Sequence, residues 1–245
     1  MKQIDLNCDV GEGAGQDAEL MPLITSANVA CGAHAGTLET MIETVECAAR
    51  NRVMVGAHPG YFDLQHFGRE ERDIAPAEAA RLVSMQIEQL FEVAGSRLRH
   101  VKLHGALYNQ VSREPRLADA VVSDLVRLWP DLILYALAGS QFARLASARG
   151  LRVAEEVFAD RTYQPDGSLT PRSAPDALIT DEDAMVAQVL SMVQRGVVRT
   201  IGGAEVPVTA ETVCLHGDTP HAVAFAERLR KELAVAGVAV KAFGT

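Results

Sequence analysis

The runs that most restrict this chain are short and apolar, and they end on polar residues. "VKLHGALYNQ" at 101–110 and "VCLHGDTPHA" at 213–222 both leave an alternating pattern on a histidine followed by a glycine. Side chains alternate across a strand, so each face can be read without knowing the fold. In "HVKLHG", Val101 and Leu103 share one face, while His100, Lys102 and His104 share the other. In "TVCLHGD", Val213 and Leu215 oppose Thr212, Cys214, His216 and, if the strand continues, Asp218. The first strand repeats the pattern with Ile4, Leu6 and Cys8 against Asp5, Asn7 and Asp9. The second contributes Asn28, and the third His58, with Val53, Val55 and Ala57 opposite. One face therefore suits packing under helices, and the other turns polar toward the strand's C-terminal end. A barrel accounts for this economically, because the polar faces then converge inside, where the βα loops build a site. An open doubly wound sheet would want both faces apolar, and neither a GxGxxG nor a Walker A loop is present.

The wider pattern agrees. Strands are expected near 3–8, 26–31, 53–58, 100–104, 132–137, 152–157 and 212–216, alternating with amphipathic stretches, as βα units around a parallel sheet require. This gives a seven-stranded (β/α) barrel, and 245 residues suffice for one such domain over 1–245. The clearest helix places Ala79, Leu82, Val83, Ile87, Leu90, Phe91 and Ala94 on one stripe, with Pro76 in its first turn and Gly95 at its end. A second helix is expected from a Thr180/Asp183 capping box to Gly196, and the last from Thr219 and Pro220 to Gly237. Residues 59–75 and 158–179 are connections longer than a compact barrel needs, which suits lids or binding loops. Residues 197–208, with Gly202 and Gly203 between two β-rich arms, read as a hairpin.

A net charge of −9 with no basic stripe argues against nucleic acid as a partner. The N-terminus lacks the apolar core of a signal peptide and no run is long enough to cross a bilayer, so a cytoplasmic protein without a membrane partner is expected. Cys8, Cys31, Cys47 and Cys214 form no CxxC pair and read as reduced thiols.

The residues able to do chemistry cluster at strand ends. "DLNCDVGEG" supplies Asn7, Asp9 and Glu12; "SANVACGAHAG" supplies Asn28 and His34; "GAHPG" supplies His58. Four of seven histidines, His34, His58, His104 and His216, follow strands beside or near glycine, which points to a shared site. Asp9, His58, Lys102, His104, His216 and Asp218 form the catalytic candidates. Lys102 is expected to pair with a carboxylate such as Asp9 or Asp218 and to act as an anion anchor. The sixth strand brings Glu155, Glu156, Asp160 and Arg161; parity does not choose between the glutamates, and Glu156 enters the binding set. Asn7, Glu12, Asn28, His34, Asp160 and the loop residues Arg69, Arg161 and Arg172 complete that set, the arginines being suited to a carboxylate or phosphate. Asp and His can also bind a divalent metal, for which Asp9, His58, His104 and His216 are the candidates; the sequence leaves metal and acid–base chemistry open.

The blocks "DLNCDVGE", "SANVACGAHAG", "GAHPGYFD" with "FGRE", "VKLHGALYN", "EEVFADRTYQPDGSL" with "TPR", and "CLHGDTPHA" resemble the motif series of the LamB/YcsF family, in order from residue 5 to about residue 222. The resemblance implies a seven-stranded barrel akin to glycoside hydrolases and deacetylases. It also implies ATP-dependent cleavage of the lactam 5-oxoproline to L-glutamate, with two further subunits, B and C. Because no nucleotide loop is recognisable, ATP is expected to be bound by, or shared with, those partners. The competing readings are a self-sufficient metal-dependent deacetylase or amidohydrolase, and a non-catalytic subunit that binds substrate or holds partners.

Overall fold

The computed structural model describes residues 2–217 and 221–245. In chain order the strands are β1 (Lys2–Val10), β2 (Ser26–Ala30), β3 (Met54–His58), β4 (Leu98–Lys102), β5 (Ile133–Leu137), β6 (Arg152–Phe158), β7 (Val197–Arg199), β8 (Glu205–Pro207), β9 (Thr212–Leu215) and β10 (Val238–Val240). The helices are α1 (Asp17–Leu20), α2 (Leu38–Asn51), α3 (Pro76–Ala94), α4 (Gly105–Arg113), α5 (Pro115–Leu128), α6 (Gln141–Ala148), α7 (Glu182–Leu190) and α8 (Ala222–Val235).

Strands β1 to β6 pair in sequence, β9 pairs with β6, and β9 then closes the cycle on β1, every pairing being parallel. The result is the expected closed seven-stranded barrel. Outside the cycle, β10 adds to the first residues of β1, and β7 and β8 pair antiparallel within the 197–208 segment. The outward faces, among them Leu6, Cys8, Val29, Val55, Val101, Leu103, Val157, Val213 and Leu215, pack into one apolar layer under the helices. Removing each such side chain from water contributes about 1.5–3 kcal/mol, which drives closure.

The interior is unusual for such a barrel, whose inner layers are commonly branched aliphatics. Here it is a hydrogen-bonded polar network. Asp5 accepts from Thr25, Ser26 and Thr212; Asn7 donates to Thr212 and Glu156; Asn28 donates to Asn7 and Asp9. His100 Nε2 donates to Asn28 Oδ1 at 2.8 Å and its ring stacks on Tyr135. Opposite His100 stands Gly56: a Cβ built there would lie 2.1 Å from His100 Nε2, so only glycine leaves room for the ring.

Helix α3 begins at Pro76 and is closed by Gly95 at φ 55°. It buries Ala79, Val83, Ile87, Leu90 and Ala94, but Phe91 is exposed and meets Trp129 edge-on, and Leu82 is half-buried, so the stripe is narrower than the sequence spacing suggests. Two boundaries move. Strand β4 starts at Leu98 and stops at Lys102, which leaves His104 just outside it, at the mouth of α4. Helix α7 is capped by Asp181, whose carboxylate accepts from Ala184 N, and not by Thr180; a π-helical turn over Ser191–Arg195 extends the helical path to Gly196. Thr219 and Pro220, expected to start the last helix, lie outside the described residues, and α8 is described from Ala222. No helix among the described residues is long and apolar enough to cross a membrane.

Candidate active site

A cleft of about 1160 Å³ opens at the C-terminal ends of the strands, and Asp9, Glu12, His58, Arg69, Lys102, His104, Arg161, Arg172 and His216 all line it. Asn7, Asn28 and Glu156 are fully buried one layer below, and His34 and Asp160 stand behind Glu12 and His216. Asp218 falls outside the described residues.

Lys102 is the hub of the floor. Its Nζ lies 2.9 Å from Asp9 Oδ1, 3.0 Å from Glu156 Oε1, 3.1 Å from Asn7 Oδ1 and 3.0 Å from Cys214 Sγ. Burial alone would lower the lysine pKa, but Asp9, the Cys214 sulfur and Glu156 outweigh it and hold the ammonium well above its ordinary value. Burial would likewise raise the Asp9 carboxyl; His58 and Lys102 reverse this and keep it well below the usual carboxylate range. Strand parity explains the contact, because Asp9, Glu156, Lys102 and Cys214 all point inward. It is β6's position between β5 and β9 that selects Glu156, while Glu155 instead accepts from Gly139 N.

Three histidines gather on one wall. His58 Nδ1 donates to the Lys102 carbonyl at 2.9 Å, and His104 Nε2 donates to the Phe67 carbonyl at 2.9 Å. Phe67 is one of two non-glycine residues at positive φ among the described residues, with φ 56°, and Gly68 follows at φ 61°. This left-handed pair turns the 59–75 loop so that the Phe67 carbonyl reaches His104; a Cβ on Gly68 would sit 2.9 Å from His34 Cβ. His34 stacks on His104 with ring centroids 3.7 Å apart, and its Nε2 lies 3.0 Å from Glu12 Oε1. Burial lowers the His34 and His104 pKa values, whereas at His58 the neighbouring Asp9 overcomes burial and raises it.

Across the cleft, His216 Nδ1 donates to Asp160, 2.8 Å from Oδ2, and His216 Nε2 accepts from the Arg172 guanidinium at 2.9 Å. Burial would raise the Asp160 carboxyl, but His216, Arg172 and Arg161 hold it below its ordinary value. Arg161 is buried and donates to the backbone carbonyls of Thr170 and Ala177, which folds the 158–179 loop back over the cleft.

Cys214 and Tyr108 join the site without having been sequence candidates. Cys214 was legible in principle, since parity already placed it inward beside Lys102. The buried Tyr108 belongs to α4 and lines the cleft one helical turn after His104, a relation that needed the helix start to be known.

A closed parallel barrel with carboxylates, histidines and a lysine gathered at the C-terminal ends of its strands is a (β/α) barrel of the class that builds its sites at that end. Within that class the chain belongs to the LamB/YcsF family, whose profile matches residues 4–245. It is 48% identical over 250 residues to the 5-oxoprolinase A-subunit of Brevibacillus brevis, covering 99% of this chain and 98% of the relative. Its fold matches the lactam utilization protein of Thermus thermophilus with a TM-score of 0.89 at 41% identity, covering 98% of this chain and 100% of the other. A family 4 carbohydrate esterase from Streptomyces lividans shares the fold at a TM-score of 0.52 and 11% identity, covering 98% of this chain and 91% of the esterase.

Proposed function

We propose that this chain is the lactam-handling subunit of an ATP-dependent 5-oxoprolinase, opening 5-oxoproline to L-glutamate as ATP becomes ADP and phosphate, in a complex with subunits B and C. The observation that carries the reading is the Asp160–His216–Arg172 chain on the cleft wall. Asp160 fixes the tautomer that leaves His216 Nε2 as a base, and Arg172 covers that nitrogen until an anion draws the guanidinium away. The carboxylate of 5-oxoproline is such an anion, so substrate binding would itself uncover the base.

An unstrained lactam resists water because amide resonance must be lost and a poor amine leaving group expelled. ATP would supply activation, by phosphoryl transfer to the lactam carbonyl oxygen. A cleft of about 1160 Å³ is far larger than one small lactam, and the arginines along it suit a phosphate chain, so the residues present fit a second, anionic substrate. His216 Nε2 takes a proton from the attacking water and returns it to the ring nitrogen as the C–N bond breaks, which leaves the side-chain carboxyl as an acyl phosphate; a second water then displaces inorganic phosphate and leaves the free carboxylate of glutamate. His58 and Lys102 keep Asp9 ionised at the cleft floor, and the fixed Lys102 ammonium is the positive group there that would offset negative charge developing on the reacting carbonyl.

The test is glutamate release from 5-oxoproline by this chain with candidate B and C partners, with and without ATP. Release only with ATP and partners, lost in His216→Asn, is expected. Release by the chain alone without ATP would replace this reading with a self-sufficient amidohydrolase.

A further inference from the structure

We propose that Glu12, His58 and His104 form a binding site for one first-row divalent transition cation, of the zinc or cobalt type. Two hydrogen bonds fix the tautomers of the rings. A carbonyl oxygen can only accept, so His58 must carry a proton on Nδ1 for Lys102 O, and His104 must carry one on Nε2 for Phe67 O. In the neutral rings the remaining nitrogens, His58 Nε2 and His104 Nδ1, are then both bare acceptors. They face each other at 2.9 Å in a buried wall. Two lone pairs at that distance repel unless a positive species lies between them.

Glu12 Oε1 completes the concave face, 3.4 Å from His104 Nδ1 and 3.7 Å from His58 Nε2. Asp9 Oδ2 lies 3.4 Å from His58 Nε2 on the cleft side. Ligands about 2.0–2.1 Å from a tetrahedral zinc are about 3.3 Å from each other, and the observed separations bracket that value. The two backbone carbonyls also match how ligating imidazoles are held, with the non-ligating N–H donated to a fixed acceptor that sets tautomer and ring orientation. His34, stacked on His104, bonds Glu12 Oε1 from behind and orients it. Two imidazoles and one carboxylate are a donor set for borderline cations rather than for calcium or magnesium. The fourth position faces Asp9 and the cleft. His216, which pairs with Asp160, stands outside this set.

Cation binding here does not depend on which bond the cleft breaks, so its failure and that of lactam opening are separately visible. The experiment strips the full-length protein with a chelator and titrates it with cobalt(II), followed by visible absorption, and with zinc(II), followed by calorimetry. One ion per chain with the intense visible band of four-coordinate cobalt is expected. Affinity should fall at least tenfold in His58→Gln and in His104→Asn and stay unchanged in His66→Ala, which breaks up the separate Asp63–His66–Glu70 cluster. Far-UV circular dichroism checks the variants, and if either histidine variant misfolds, Glu12→Gln carries the test with the same expected loss. No bound ion, ion binding abolished by His66→Ala, or binding indifferent to the folded site variants would overturn the assignment and leave a shared proton between the two imidazoles.

Discussion

Replacing Lys102 with Met keeps most of the stem volume and removes only the charge, which makes it a direct measure of the barrel floor. In the native protein the ammonium is about 3 Å from both Asp9 and Glu156, at 2.9 and 3.0 Å. At an effective dielectric near 20, Coulomb's law gives roughly 5.5 kcal/mol of attraction per pair, largely offset by the desolvation of three buried charges. Removing one partner leaves the offset without the attraction, so the loss should resemble that of other broken buried pairs, about 3–5 kcal/mol. That is a large part of the ~5–15 kcal/mol of a typical folded domain.

The pH dependence follows from the shifts. The depressed carboxyl of Asp9 contributes stability that is present above its unfolded pKa of about 3.9 and is lost as pH falls through the folded value. The raised pKa of Lys102 contributes stability fully present below about 10.4 and lost as pH rises through the folded value. The wild-type advantage over Lys102→Met should therefore be greatest between about pH 5 and 10 and shrink toward pH 3, as the stranded carboxylates take up protons. Urea denaturation of both proteins across that range is the assay, and adding Glu156→Gln to the variant should restore part of the loss. A difference below about 1 kcal/mol at pH 7, or one independent of pH down to 3, would refute the reasoning.

In the reconstituted complex, His216→Asn should lower kcat by roughly 10²–10⁴-fold with a smaller effect on KM, and Asp160→Asn should lower kcat in the same direction; effects confined to KM would argue against a base role. Gly56→Ala should prevent the native fold or cost more than about 3 kcal/mol, because its Cβ would meet the His100 ring, and Gly56→Ala with His100→Ala should recover soluble folded protein; a well-tolerated single variant would contradict the placement of that ring. Asp181→Ala should cost about 1 kcal/mol through loss of the α7 cap, while Thr180→Ala should stay within about 0.5 kcal/mol, as thermal unfolding can read.

Much of the site was legible because a strand's alternation survives in the sequence whatever the fold. Parity alone put Asp9, Asn28, Lys102 and Cys214 on inward faces, and all four meet in one network. Where the reading missed, the determinant was not local. Phe91 fits the helical stripe but is exposed and meets Trp129 edge-on. The cap of α7 passed from Thr180 to Asp181 because one residue decides which oxygen reaches a backbone N–H. The histidines looked equivalent in sequence, each near a glycine.

By itself, the sequence determined the periodicities: seven strand-length runs, five of them alternating with a polar face toward the C-terminal end, and the glycines beside the strand-end histidines. Only the tertiary structure decided partnerships, placing Glu156 against Lys102, Asp160 against His216, and the Phe67 carbonyl against His104. The physical reason is that alternation is a property of a single strand, whereas closing β9 onto β1 and folding two long loops over the mouth sets distances between residues far apart in the chain. Hydrogen-bond partners, and with them tautomers and charge states, exist only once those distances are set.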